Sequence, residues 1–101
     1  MANIDCKLVT IITEAVLEPD LLEELEELGA SGYTITEARG AGNRGVRDAG
    51  WSSSGNVRVE VVCGNELADR IAERLRDKYY DHYAMIFFES DVRVLRPGKF
   101  S

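Results

Sequence analysis

Asn56-Val57-Arg58-Val59-Glu60-Val61-Val62-Cys63 places Val57, Val59, Val61 and Cys63 on one side of the chain and Asn56, Arg58 and Glu60 on the other. Such alternation marks a half-buried β-strand, because successive side chains of an extended backbone point to opposite faces. Downstream, Asn65 can cap a helix whose Leu67, Ala68, Ile71, Ala72, Leu75 and Tyr79 form an apolar stripe at helical spacing. Asp81-His82 breaks that stripe. Residues 83–90 then read as another strand, and 92–95 as a short fifth piece before Arg96-Pro97-Gly98-Lys99-Phe100.

Upstream, residues 33–39 alternate well enough for a strand, and residues 40–55 separate the two. That connection is far longer than the roughly 2–5 residues of an ordinary hairpin loop, and loops of this length usually carry function. Residues 4–13 are rich in β-branched side chains and predict the first strand, with Ile4, Cys6, Leu8 and Ile12 on one face and Val9 and Ile11 on the other. Pro19 suits a first helical turn, Leu21, Leu22, Leu25 and Leu28 repeat at helical spacing, and Gly29 supplies a left-handed cap, so a helix is predicted over 19–28. The order strand, helix, strand, strand, helix, strand is the α+β, ferredoxin-like βαββαβ sandwich, here as one domain over residues 1–101. Both helices are expected on one sheet face. Val9, Ile11, Val62, Met85 and Phe87 make parts of the other face apolar, and a second copy of the chain is its natural cover.

The chain has 101 residues and a formal net charge of −6, with 45% hydrophobic and 30% charged residues. That composition is of a soluble globular domain, and the acidic balance argues against nucleic acid, whose phosphates bind through accumulated Lys and Arg. The first residues lack the basic start and apolar core of a signal peptide, and no apolar run approaches the roughly 20 residues that span a bilayer. A cytoplasmic location is the expectation. Cys6 and Cys63 fall in strand-like stretches without CxxC spacing and read as buried structural thiols.

The long connection concentrates the cations: Arg39, Arg44 and Arg47 stand against Asp48 alone, among Gly40, Gly42 and Gly45. Glycines let backbone N–H groups turn toward a ligand, and guanidinium forks match phosphate oxygens, so Arg44 and Arg47 predict an anion site. Composition alone leaves a solvated loop as the alternative. Gly40, Gly42 and Gly45 also satisfy G-x-G-x-x-G, but the dinucleotide fingerprint needs a helix opening at the glycines, and residues 46–55 have no helical apolar period. Glu18, Asp20, Glu23, Glu24, Glu26 and Glu27 crowd the first helix without a cation and read as a solvated face. His82, the single histidine, sits at a helix end, where a dipole or capping role is expected. No sequence motif supports enzyme chemistry. Arg93, Arg96, Lys99 and Phe100 form a second basic cluster. It reads equally as a solubilising tail or as a segment that lends cations to a neighbouring subunit's phosphate site.

Lys7-Leu8-Val9 with Ile12-Thr13-Glu14, Gly29-Ala30-Ser31-Gly32-Tyr33-Thr34, Gly40-x-Gly42-x-Arg44-x-Val46-Arg47, Glu66-Leu67-Ala68-Asp69 and Lys99-Phe100 together resemble the PII-like signalling proteins. The resemblance covers nearly the whole chain and is nearest the branch that accompanies bicarbonate transport and carboxysomes, the SbtB and carboxysome-associated PII group. It implies a homotrimer with an adenine nucleotide in each of three clefts between subunits, and residues 40–55 as the family's T-loop. Arg44 and Arg47, with Gly40, Gly42 and Gly45, would hold the phosphates. Phe88 and Glu89 would lie by the adenine, and Gly32, Tyr33, Arg93 and Arg96 would line the cleft from one subunit or the next. The ligands implied are AMP, ADP or cyclic AMP, with bicarbonate as a second one, and no resident cofactor or metal. The partner implied is a bicarbonate transporter or carboxysome-associated protein, which would bring the chain to a membrane or carboxysome surface. The chain departs from the wider family: its T-loop has no Tyr to be uridylylated, and the Gly- and Lys-rich B-loop is missing, which weighs against magnesium ATP and 2-oxoglutarate. It also stops without the cysteine-bearing tail of some branch members. A small trimeric enzyme of anionic metabolites is the rival on the same fold.

Overall fold

The computed structural model describes residues 4–40 and 55–95. Within them the chain forms β1 (Ile4–Glu14), a 3-10 turn (Ala15–Leu17), α1 (Glu18–Leu28), β2 (Thr34–Ala38), β3 (Asn56–Cys63), α2 (Asn65–Lys78) and β4 (Ile86–Val94). The four strands make one antiparallel sheet in the order β2-β3-β1-β4, which is the ferredoxin-like arrangement expected from the element order.

Each helix has a physical reason for its limits. Pro19 occupies the first turn of α1, where a missing N–H costs nothing, and Gly29 ends the helix at φ 96°, a left-handed conformation that side-chain-bearing residues avoid. Asn65 is not the cap expected from sequence: Gly64 takes that place and Asn65 is the first helical residue of α2. The turn after α2 is closed by the backbone N–H groups of His82 and Tyr83 donating to Tyr79 O, so His82 serves through its main chain.

Strand β3 decides which side of the sheet is buried. Its Val57, Val59, Val61 and Cys63 stand opposite Thr13, Ile11, Val9 and Lys7 of β1, and this face carries the helices. The core joins Val9, Ile11, Val57, Val59 and Val61 to Leu21 and Leu25 of α1 and Ala68, Ile71 and Leu75 of α2, all within 3% of complete burial. Val9, Ile11, Met85 and Phe87, expected on the opposite face, belong to this core or pack against it. Because β1 is apolar on both faces, it cannot report its own orientation; the one-sided pattern of β3, read through the register, does. The helix-free face carries Val62 as expected, and with it Leu8, Ile12, Ile86 and Phe88 in place of the other four. Ile86 and Phe88 are 55% and 42% exposed there. Thr10, at the centre of the same face, is fully buried, and its hydroxyl has no hydrogen-bond partner among the described residues.

Two strand boundaries differ from expectation. The piece 83–90 and the piece 92–95 are one strand, β4, paired continuously with β1 from Ile12↔Ile86 to Ile4↔Val94. Ser90 and Asp91 do not break it, because an edge strand half in water tolerates polar residues. Tyr83, Ala84 and Met85 lie before the strand. There the side chains of β1 replace the ladder: Thr13 Oγ1 donates to Ala84 O at 3.2 Å, and Ala84 N–H donates to Glu14 Oε2 at 3.2 Å.

The acidic first helix is not solvated throughout. Glu24 is buried at 5% exposure and accepts hydrogen bonds from Arg74 at 2.5 Å, Lys78 at 2.6 Å and the Tyr79 hydroxyl at 3.0 Å. Burial alone would push its carboxyl up, but the bonds from Lys78, Arg74 and Tyr79 outweigh that and hold it below the usual carboxylate range. Tyr79 in turn is pushed up to about 12 by burial and by the Glu24 carboxylate it donates to. The cations that α1 lacks therefore come from α2, and Glu24 is a clasp between the helices rather than part of a solvated face.

Candidate functional site

The long connection leaves the sheet after Gly40 and returns at Gly55, at the end where Ala38, Asn56 and Glu14 lie side by side. The return is anchored: Ala15 N–H donates to Gly55 O at 2.7 Å. Of the residues expected to hold a ligand, Gly42, Arg44, Gly45 and Arg47 of the expected T-loop lie outside the described residues, as does Arg96 of the C-terminal cluster.

The remaining expected residues are spread along the sheet. Gly32 and Tyr33 sit just before β2, at one edge; Tyr33 is 40% exposed. Phe88, Glu89 and Arg93 lie on β4, at the other edge. Thr34 of β2 stands level with Phe88, through Glu60 and Thr10 of the intervening strands. Three strand spacings, about 14 Å, separate the two edges, and the edges face away from each other. Phe88 is directed to the helix-free face and Glu89 to the helix face, since Phe88 pairs with Thr10 and Glu89 with Val9. Gly32 and Gly40 are both exposed, and an added methyl group at either would meet nothing within 4 Å.

Arg39 and Arg93, the described members of the two basic clusters, also lie at opposite ends of the sheet. The stem of the connection adjoins Glu14, whereas β4 ends at Val94 opposite Ile4. Ten residue steps of β1 separate those points, about 33 Å along the strand. The described members of the expected site are thus divided between the two edges of one sheet.

One cleft of about 480 Å³ opens at that second end, between the start of β1, the end of β4 and the first turn of α2. Asp5, Lys7, Asn65, Asp91 and Arg93 line it. The Lys7 ammonium donates to Asp91 at 2.6 Å, and this hydrogen bond, with the charge of Asp91, raises the lysine above its ordinary value. Among the described residues two cations stand against two carboxylates here, which together give no net pull on an anion. Arg93 is the one expected site residue it contains.

Cys6 and Cys63 are free and buried, as read from the sequence. Burial pushes the Cys63 thiol up to about 11, so it is protonated and unreactive at neutral pH. Among the described residues no helix is long and apolar enough to cross a membrane.

What sequence reading missed at the loop end of the sheet is the grip of Thr13 and Glu14 on Ala84. No motif announces it, since it depends on where the β1–β4 ladder stops.

Comparison with known proteins agrees with the geometry. The family model of the nitrogen regulatory protein P-II matches residues 6–99. A protein of Thermus thermophilus assigned to the PII-like signaling class is 46% identical over the full length of both chains, with a TM-score of 0.84. CPII from Thiomonas intermedia K12, solved bound to ADP and bicarbonate, is 23% identical over 99% of this chain and 98% of its own, with a TM-score of 0.85. The same protein solved with ADP, AMP and acetate aligns at 20% identity over the same shares, again with a TM-score of 0.85. With the P-II model matching nearly end to end, this chain belongs to the P-II family of nitrogen regulatory proteins.

Proposed function

We propose that the protein is a PII-like signalling regulator that binds AMP, ADP or cyclic AMP in clefts between the subunits of a homotrimer. The observation that carries this reading is the division of the expected site within one chain. Gly32, Tyr33 and the stem of the long connection lie toward the β2 edge, and Phe88, Glu89 and Arg93 lie on the β4 edge. A second chain that brings its β4 edge to the first chain's β2 edge completes the set. The helix-free face supports the same assembly: it exposes Ile86 and Phe88 and leaves the Thr10 hydroxyl without a hydrogen-bond partner among the described residues.

In this assembly Arg44 and Arg47 hold the phosphates, with Arg96 contributed by the neighbouring chain. The chain's net charge of −6 repels a phosphate at long range. Charges beyond a Debye length of about 8 Å are screened at physiological salt, so local guanidinium groups decide binding. Nucleotide selects one arrangement of residues 40–55, and a partner reads that arrangement. The bicarbonate and ADP held by CPII support inorganic-carbon handling as the regulated process, with a bicarbonate transporter or carboxysome-associated protein as the partner and the cytoplasm as the location.

Calorimetric titration with AMP, ADP and cyclic AMP, with and without bicarbonate, tests the reading. Arg44→Ala or Arg47→Ala removes a charge-assisted contact of roughly 1.5–3 kcal/mol, hence about a 10- to 150-fold loss of affinity. Lysine at either position restores part of it, since the charge returns without the planar fork. Two folded alanine variants that bind as tightly as the parent would remove the phosphate assignment.

A further inference from the structure

At the loop end of the sheet three hydrogen bonds meet on three consecutive residues. Thr13 Oγ1 donates to Ala84 O, Glu14 Oε2 accepts from Ala84 N–H, and Ala15 N–H donates to Gly55 O. Ala84 is thus held on both sides of its backbone by side chains of β1, at the point where the ladder between β1 and β4 gives out. The next residue along, Ala15, holds Gly55, where the chain rejoins the sheet. Thr13 is 1% exposed, so its hydroxyl is positioned by packing rather than free to rotate into water.

We propose that Thr13 and Glu14 form a joint that couples the turn between α2 and β4 to the stem of residues 41–54. The turn from Tyr79 to Met85 is tied to the sheet through these two side chains, and to itself through His82 and Tyr83 N–H donating to Tyr79 O. A shift of Gly55 moves Ala15, and through its neighbours Glu14 and Thr13 it moves the Ala84 peptide. The turn displays Tyr80 and Tyr83 at 39% and 36% exposure, with His82 exposed between them. A change at the stem is therefore carried to a second, aromatic surface remote in sequence from the long connection. Side-chain bonds suit this role better than a ladder, because they can be released singly without unpairing the strand.

The joint is testable without any ligand, so its failure is separate from failure of the nucleotide reading. Amide hydrogen exchange is compared at Ala84 and Ala15 in the parent, Glu14→Ala, Glu14→Gln and Thr13→Val, with Val9 and Val61 as internal references. Glu14→Ala frees the Ala84 amide and speeds its exchange about 10- to 150-fold, the equivalent of one hydrogen bond to a charged acceptor. The coupling predicts that Ala15 speeds up several-fold in the same variant while the references hold. Thr13→Val, which leaves both amides their acceptors, speeds Ala15 as well. Glu14→Gln keeps a side-chain carbonyl acceptor and returns both sites most of the way to the parent. Ala15 unchanged in Glu14→Ala and Thr13→Val, with Ala84 alone responding, would show that the bonds merely pin the turn and would overturn the proposal. Equal acceleration at Val9 and Val61 would overturn it too, since the effect would then be general fraying.

Discussion

Replacing Glu24 by Ala unclasps α1 from α2. The carboxylate is 5% exposed and receives Arg74, Lys78 and the Tyr79 hydroxyl. The two cations stay half in water after the change and can be solvated, so their loss counts for little. Tyr79 is different: it is 9% exposed, and its hydroxyl loses an ionised acceptor in a place water reaches poorly. Losing a hydrogen bond of that kind costs about 1.5–3 kcal/mol. For a domain of this size each kcal/mol moves the midpoint by roughly 4–8 °C, so thermal unfolding should shift down by about 6–24 °C. Circular dichroism at one fixed protomer concentration is the assay, because dissociation of an oligomer would otherwise enter the midpoint. Tyr79→Phe removes the same bond without leaving an unpaired hydroxyl and should cost less than Glu24→Ala. In the double variant the two losses should fail to add, because both delete one interaction. Glu24→Ala within about 2 °C of the parent, or full additivity with Tyr79→Phe, would refute the clasp.

Gly29→Ala forces a methyl-bearing residue to φ 96° and should destabilise by about 1–2 kcal/mol although nothing crowds the site, whereas Gly32→Ala should be neutral; urea midpoints decide. Stability should decline as pH falls below about 4, because a carboxyl held below its unfolded value contributes only while ionised, and Glu24 loses that contribution on protonation. It should also decline as pH rises from about 10 toward about 12, because Tyr79, raised in the folded state, stabilises only while it keeps its proton. A urea series across both ranges reads each limb; Glu24→Ala removes that residue's part of the acid limb and only reduces the alkaline one, because burial still raises Tyr79. Light scattering at micromolar concentration should give a trimer mass, and a stable monomer would contradict the covered sheet face.

The fold was legible because the informative strand is one-sided. Val57, Val59, Val61 and Cys63 announce β3, and Leu21 through Leu28 with Gly29 announce α1 and its end. The orientation of β1 was not, since Leu8 and Ile12 on one face match Val9 and Ile11 on the other in hydrophobicity, and only pairing distinguishes them. Glu24 looked like its acidic neighbours because the residues that make it different, Arg74, Lys78 and Tyr79, lie on the other helix, and helical charge runs ordinarily are solvated. The candidate site was expected as a set of residue types, of which Gly32, Tyr33, Gly40, Phe88, Glu89 and Arg93 are described. That these described members fall at opposite edges of one sheet is a property of strand order, which no local pattern records.

In the proposed trimer each nucleotide site takes its loop cations from one chain and its C-terminal cations from the next. Mixing Arg47→Ala with Arg96→Ala protein by unfolding and refolding them together tests this division, with each variant alone binding ADP weakly. In a mixed trimer, a site built across two chains can draw its loop from the Arg96→Ala chain and its C-terminal segment from the Arg47→Ala chain. About one quarter of all sites in a random one-to-one mixture are then intact. Calorimetry of the mixture should recover parental affinity at about that fraction of sites. A site within one chain always contains one damaged residue, so a mixture that binds no better than either variant alone would contradict the shared site.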